Sequence, residues 1–137
     1  MATPIILFID DEETDGVSTF HRLTKLGFTA RFHRGPFGTL AAIRDTQCDL
    51  VLLDVNMPGL DGPALIRVIR HTYKQLPVLL YSNMGKNALE RIGRLIGADS
   101  VIVKGAADEE FVTTLQEVLA ETLQRAETCG WDQKSSA

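Results

Sequence analysis

The sequence predicts an α/β protein: a doubly wound parallel sheet of five strands with helices on both faces. Three observations carry this expectation. Five short apolar runs recur along the 137 residues, "IILFI" from Ile5, "FTARF" from Phe28, "DLVLL" from Asp49, "PVLLY" from Pro77 and "SVIV" from Ser100, beginning 23, 21, 28 and 23 residues apart. The stretches between them have helical period. The runs are apolar throughout rather than alternating, the pattern of strands covered on both faces of a parallel sheet.

Taken in order, the first run ends on Asp10, Asp11 and Glu12. The helix behind it sets Val17, Phe20, Leu23 and Leu26 on one face and stops at Gly27. The second run leads into "HRGPFGTLAAIRD", where two glycines and a proline crowd the start of a helix. The third breaks off in "LLDVNMPGLDG", a buried strand ending on a bare carboxylate, Asp54, with a tight turn behind it. Asp61 with Pro63 then reads as a helix start, followed by Leu65, Ile66 and Ile69. The fourth run precedes Ser82 and Asn83, and Leu89, Ile92, Leu95 and Ile96 mark a helix that stops at Gly97. The fifth leads to Lys104. The last helix carries Asp108, Glu109 and Glu110 in its first turn, where they complement the helix dipole, and Phe111, Leu115, Val118, Leu119 and Thr122 on one face. From Glu127, "ETCGWDQKSSA" has no period. Residues 1–125 therefore read as one folded domain and 126–137 as a C-terminal tail, disordered or extending the last helix, too short to be an output domain.

With 45% hydrophobic and 23% charged residues the chain is able to bury a sizeable core. A net charge of -4 argues against direct nucleic-acid binding or an anionic membrane, since either needs a basic face. No apolar stretch approaches the ~20 residues of a membrane span, and "MATPIILFIDDEE" lacks the marks of a signal peptide. Cys48 and Cys129 have no ligand-like spacing to histidine. The expectation is a cytoplasmic protein with reduced thiols, Cys48 in the core and Cys129 and Trp131 in the tail. His21, His33 and His71 are scattered and read as surface residues.

In open parallel sheets ligands bind beyond the carboxyl ends of the strands. There the chain gathers Asp10, Asp11 and Glu12, then Asp54 and Asn56, then Ser82 and Asn83, then Lys104. Carboxylates held close repel one another unless a cation sits among them, and hard oxygen ligands suit Mg2+. A transferring phosphoryl group needs an in-line nucleophile, charge neutralisation and donors. Asp54 suits the nucleophile, Mg2+ on Asp11 and Asp54 the neutraliser, and Lys104 and Ser82 the donors. The turn after Asp54 would hold the Asn56 backbone carbonyl near the metal and aim a backbone N–H at the phosphoryl oxygens.

"FIDDEE", "LLDVNMPGLDG", "YSN" and "GADSVIVKG", in this order and spacing, resemble the receiver domains of two-component response regulators over residues 4 to 125. The resemblance implies a flavodoxin-like receiver with strand order 2-1-3-4-5. It implies Asp54 as phosphoacceptor, Asp10 and Asp11 as the acid pair for Mg2+, Ser82 as the switch hydroxyl and Lys104 as the phosphate-contacting lysine. A sensor histidine kinase or phosphotransfer protein would be the donor, and altered binding of a downstream protein partner the output. Such a protein signals rather than catalyses turnover, apart from autophosphorylation from a phosphodonor and slow self-dephosphorylation.

The chain departs from the family pattern in three places. Gly105 follows Lys104 where a proline is usual, and the bond between them is expected to be trans. Val101 stands where an aromatic ring is common, so coupling to the surface would run through other groups, such as Tyr81 or Met84. Asn83 is bulkier than the usual small residue beside the switch hydroxyl. Asn56 and Met84 should flank the path of hydrolytic water, and an apolar Met84 cannot orient it. Two other readings keep the fold: an interaction module that works without phosphorylation, and a magnesium phosphohydrolase, against which stands the lack of an insertion to shape a substrate pocket.

Overall fold

The computed structural model describes residues 3–57 and 61–128, with side chains described as far as residue 124. Strand and helix alternate without exception: β1 Ile5–Asp10, α1 Glu13–Lys25, β2 Thr29–Arg34, α2 Thr39–Thr46, β3 Leu50–Asp54, α3 Gly62–Thr72, β4 Val78–Ser82, α4 Lys86–Ile96, β5 Ser100–Val103 and α5 Asp108–Thr128. The strands are parallel in the order β2-β1-β3-β4-β5. Both the doubly wound class and the strand order are thus as expected.

The twofold alternation of a strand sends successive side chains to opposite faces. Ile6, Phe8, Leu50, Leu52, Leu79, Tyr81 and Ile102 face one core, closed by Leu23 of α1 and by Phe111, Leu115 and Val118 of α5. Leu7, Ile9, Val51, Leu53, Val78 and Leu80 face the other, closed by Ile43 of α2, Ile66 and Ile69 of α3 and Leu89 of α4. Two cores explain why the central runs are apolar at every position. Cys48 is buried in the second, as expected of a packing residue.

The helix ends follow local chemistry. The Asp61 carboxylate accepts the Ala64 N–H at 3.1 Å and caps α3, with Pro63 in its first turn. Gly97 ends α4 in the left-handed region at φ 84°. Two expected core positions are on the surface instead. Val17 is 45% exposed, because α1 turns Gly16, Thr19 and Leu23 to the sheet, and a Cβ at Gly16 would collide with the Phe32 ring. Leu95 is 78% exposed because Leu89 and Gly93 are the residues α4 buries, Gly93 against Val101 of β5. The α5 backbone runs on to Thr128, past residue 125, while Cys129 and Trp131 lie outside the described residues.

At the amino ends of the strands two aspartates form the same clasp. Asp49, just before β3, donates its N–H to the Ile5 carbonyl and accepts the Ile5 N–H on its carboxylate at 2.8 Å. Asp99, just before β5, does the same with Val78, again at 2.8 Å, and its carboxylate also holds Arg70. Each clasp sets the register between neighbouring strands before pairing begins.

Candidate functional site

At the opposite, carboxyl ends of the strands, register and alternation assemble the site. Ile9 pairs with Leu53, so Asp10 and Asp54, one residue on, are neighbours. Ser82 pairs with Val103, which brings Lys104 to the same rim. Asp10, Asp54 and Lys104 share the parity of Phe8, Leu52 and Ile102 and leave on the α1 and α5 side, whereas Ser82 leaves on the α3 and α4 side. The lysine and the hydroxyl therefore flank Asp54 from opposite faces.

Three strands end in the same small turn. The Glu12 N–H donates to Asp10 Oδ1 at 3.0 Å, the Asn56 N–H to Asp54 Oδ1 at 3.1 Å and the Met84 N–H to Ser82 Oγ at 3.3 Å. Each side chain accepts from the residue two positions on, which fixes an oxygen at the sheet's mouth. The Asn56 amide also donates to Ser82 Oγ at 3.3 Å, tying the β3 and β4 ends together. Ser82 does not cap α4, whose N-cap is Gly85.

Asp10 and Asp54 are buried, and Asp11 is half-buried beside them. One oxygen from each of the three lies within 4.8 Å of the others. Burial raises the Asp10 pKa above its ordinary 3.8; the Glu12 N–H opposes this, the hydrogen bond and charge of Asp54 add to it, and Lys104 opposes it. Lys104 Nζ is 3.5 Å from Asp10 Oδ2, 3.6 Å from Asp54 Oδ2 and 3.3 Å from Asp15 Oδ2. Burial pulls its pKa down, but Asp54, Asp10 and Asp15 outweigh burial and leave it above 10.5.

One ammonium does not balance this much negative charge. The donor set is all hard oxygen, partly buried and converging on one point, and it fits a divalent cation of the magnesium type. Of the residues singled out in the sequence, Asp10, Asp11, Asp54, Ser82, Asn56 and Lys104 meet here; Asn83 is exposed, so its bulk is taken up by solvent. The Lys104–Gly105 bond is trans, there being no cis peptide among the described residues. Of the turn after Asp54, Pro58, Gly59 and Leu60 lie outside the described residues. His21 and His71 are exposed as expected, but His33 is half-buried, its Nε2 donating to the Phe37 carbonyl at 2.6 Å.

Two residues in contact with the site escaped the sequence reading. Asp15 had a signal, since it falls in the first turn of the helix that begins directly behind Asp10 and Asp11 at the rim. Arg22 had none. Its partners Tyr81, Lys104, Ala106 and Asp108 lie 59 to 86 residues away.

A family model described as the response regulator receiver domain matches residues 6–116. The chain is 30% identical over 117 residues to the transcriptional regulatory protein BaeR of Escherichia coli, a match covering 85% of this chain and 48% of BaeR. It spans about half the length of several of the curated relatives it matches. Among solved structures it is similar to the chemotaxis response regulator CheY4 of Vibrio cholerae, with a TM-score of 0.72 and 25% identity, covering 85% of this chain and 99% of that one. It is also similar to NtrX from Brucella abortus, with a TM-score of 0.80 and 27% identity, over 93% of this chain and 30% of that one. No helix among the described residues is long and apolar enough to cross a membrane.

Proposed function

Since the chain belongs to the response regulator receiver domain family of two-component systems, we propose that Asp54 is its phosphoacceptor and that phosphorylation changes which protein it binds. The observation that supports this best is the placement of Asp54: a buried carboxylate at a strand end, 3.6 Å from the Lys104 ammonium and grouped with Asp10 and Asp11.

In this reading an Asp54 carboxylate oxygen attacks the phosphorus of a phosphohistidine on a sensor kinase or phosphotransfer protein. The new O–P bond forms as the P–N bond breaks, and its electron pair returns to the imidazole of the donor. The product is an acyl phosphate on Asp54. Asp10, Asp11, Asp54 and the Asn56 backbone carbonyl would hold Mg2+, which when bound neutralises charge on the phosphoryl oxygens. Lys104 contributes a positive charge on the α1 and α5 side. Ser82 approaches from the other side and donates its hydroxyl proton to a phosphoryl oxygen, releasing the hydrogen bonds it now accepts from Asn56 and Met84. That exchange is the proposed switch, a shift between two arrangements of the β4 end and the surface of α4, β5 and α5.

We assign the receiver to residues 1–125 and a tail to 126–137, and place the chain's work in the cytoplasm, without direct nucleic-acid or membrane contact. Acetyl phosphate with Mg2+ should add one phosphoryl group to the wild type, read by intact mass, and none to Asp54→Asn. Label on the mutant at the wild-type level rejects Asp54 as acceptor. A wild type that binds Mg2+ yet takes no label points to an interaction module instead.

A further inference from the structure

The Arg22 side chain leaves the last turn of α1 and crosses to the connection between β5 and α5. Nη1 donates to the Tyr81 hydroxyl at 3.1 Å and the Lys104 carbonyl at 3.3 Å, Nη2 to the Ala106 carbonyl, and Nε to Asp108 Oδ1 at 2.9 Å. The guanidinium carbon lies 4.4 Å from the centre of the Phe111 ring. This is a planar, multiply bonded, stacked use of arginine that lysine cannot reproduce.

The two carbonyls it holds belong to the residues on either side of Gly105. Nothing lies within 4 Å of where a Cβ on Gly105 would be, so neither a side chain nor a packing neighbour stiffens that residue. A cavity of about 290 Å³ opens beside the loop, lined by Asp15, Arg22, Tyr81 and Lys104 among others. Asp15, at 3.3 Å, holds the Lys104 ammonium from the side of that space, while Asp10 and Asp54 hold it from the rim.

We infer that Arg22 is the positioning residue for Lys104: by clamping the carbonyls before and after Gly105 it keeps the lysine backbone where the ammonium reaches Asp54 and Asp10 as well as Asp15. The inference rests on the reading of Lys104 as the phosphoryl-contacting group. Arg22 itself touches no reacting atom.

The test compares Arg22→Met and Arg22→Lys with the wild type, each also with Lys104→Met, using acetyl phosphate as donor at saturating Mg2+. Displacement of a charge-neutralising group should slow labelling about tenfold in both single variants while Mg2+ affinity by calorimetry stays within about twofold. In the Lys104→Met background the Arg22 substitutions should cause no further slowing, because an effect that acts through the lysine vanishes with it. Hydrogen exchange across residues 104–107 should be faster in both single variants. Unchanged labelling, or the same loss with Lys104 already removed, overturns the inference. If the wild type takes no label, the phosphoacceptor reading has failed, and the exchange measurement alone decides whether Arg22 holds the loop.

Discussion

Neutralising Asp10 should make the metal-free protein more stable. Its carboxylate has two like-charged neighbours, Asp11 and Asp54, within 4.8 Å. At an effective dielectric constant of about 20, each costs about 3.5 kcal/mol of repulsion at that separation. The Lys104 ammonium at 3.5 Å returns about 4.7 kcal/mol on the same scale. The balance is a net penalty of about 2 kcal/mol, and desolvation of a fully buried charge adds to it. Asp10→Asn keeps the oxygen that accepts the Glu12 N–H. In EDTA at pH 7 it should therefore raise stability by about 2 kcal/mol, or roughly 4 to 8 °C in Tm.

The pH dependence has a definite sign. The folded-state pKa of Asp10 lies above its ordinary 3.8, so the folded protein binds the extra proton first, and the penalty grows as pH rises through that window. The gap between Asp10→Asn and wild type should be full above the folded pKa and close as pH falls toward 3.8. Added Mg2+ should reverse the ranking, because the wild type gains binding free energy that the variant, missing one ligand, does not. Thermal and urea denaturation with EDTA or Mg2+ measure all of this. An Asp10→Asn protein less stable than wild type in EDTA at pH 7 would refute the view that crowded negative charge at the rim is a cost the metal relieves.

Two further outcomes are expected. Asp99→Ala removes the acceptor of the buried Val78 N–H and the partner of Arg70, and should cost about 2 kcal/mol in urea denaturation, with Asp99→Asn costing clearly less; equal losses would show that the backbone bond is not what matters. The phosphorylated state should decay slowly: Met84, beside the path of the attacking water, is apolar and packs on the α3 and α4 core, so it cannot orient that water. Phosphate release with a half-life of a few seconds contradicts this.

How much was legible in the sequence follows from the range of each interaction. The strands were readable because the central runs are apolar at nearly every position, a consequence of two cores on one sheet, and the edge runs recur at the same spacing. The rim residues were readable because a strand's last residue and the one or two after it must stand at the sheet's mouth, wherever the strand lies in the chain. Val17 and Leu95 were misplaced because apolar character alone cannot say which face a helix buries; Gly16 and Gly93, with no side chain, are what let α1 and α4 sit close to Phe32 and Val101. Arg22 was invisible for a different reason. An arginine in a polar helix face looks the same whether it points to solvent or joins four partners beyond the helix, and only the fold distinguishes the two.

The aspartate clasps at the amino ends and the strand-end turns at the carboxyl ends bear on how a signal leaves this molecule. With β1 clasped to β3 and β4 to β5 at the amino ends, and β3 tied to β4 at the other margin by the Asn56–Ser82 bond, the strands resist lengthwise slip and the sheet behaves as a fixed chassis. In the switch proposed above, modification of Asp54 would pass outward by side-chain rotation and by hinging of the connecting segments rather than by sliding of strands. Such a rearrangement is small in amplitude, because the frame that carries the rim residues stays in place.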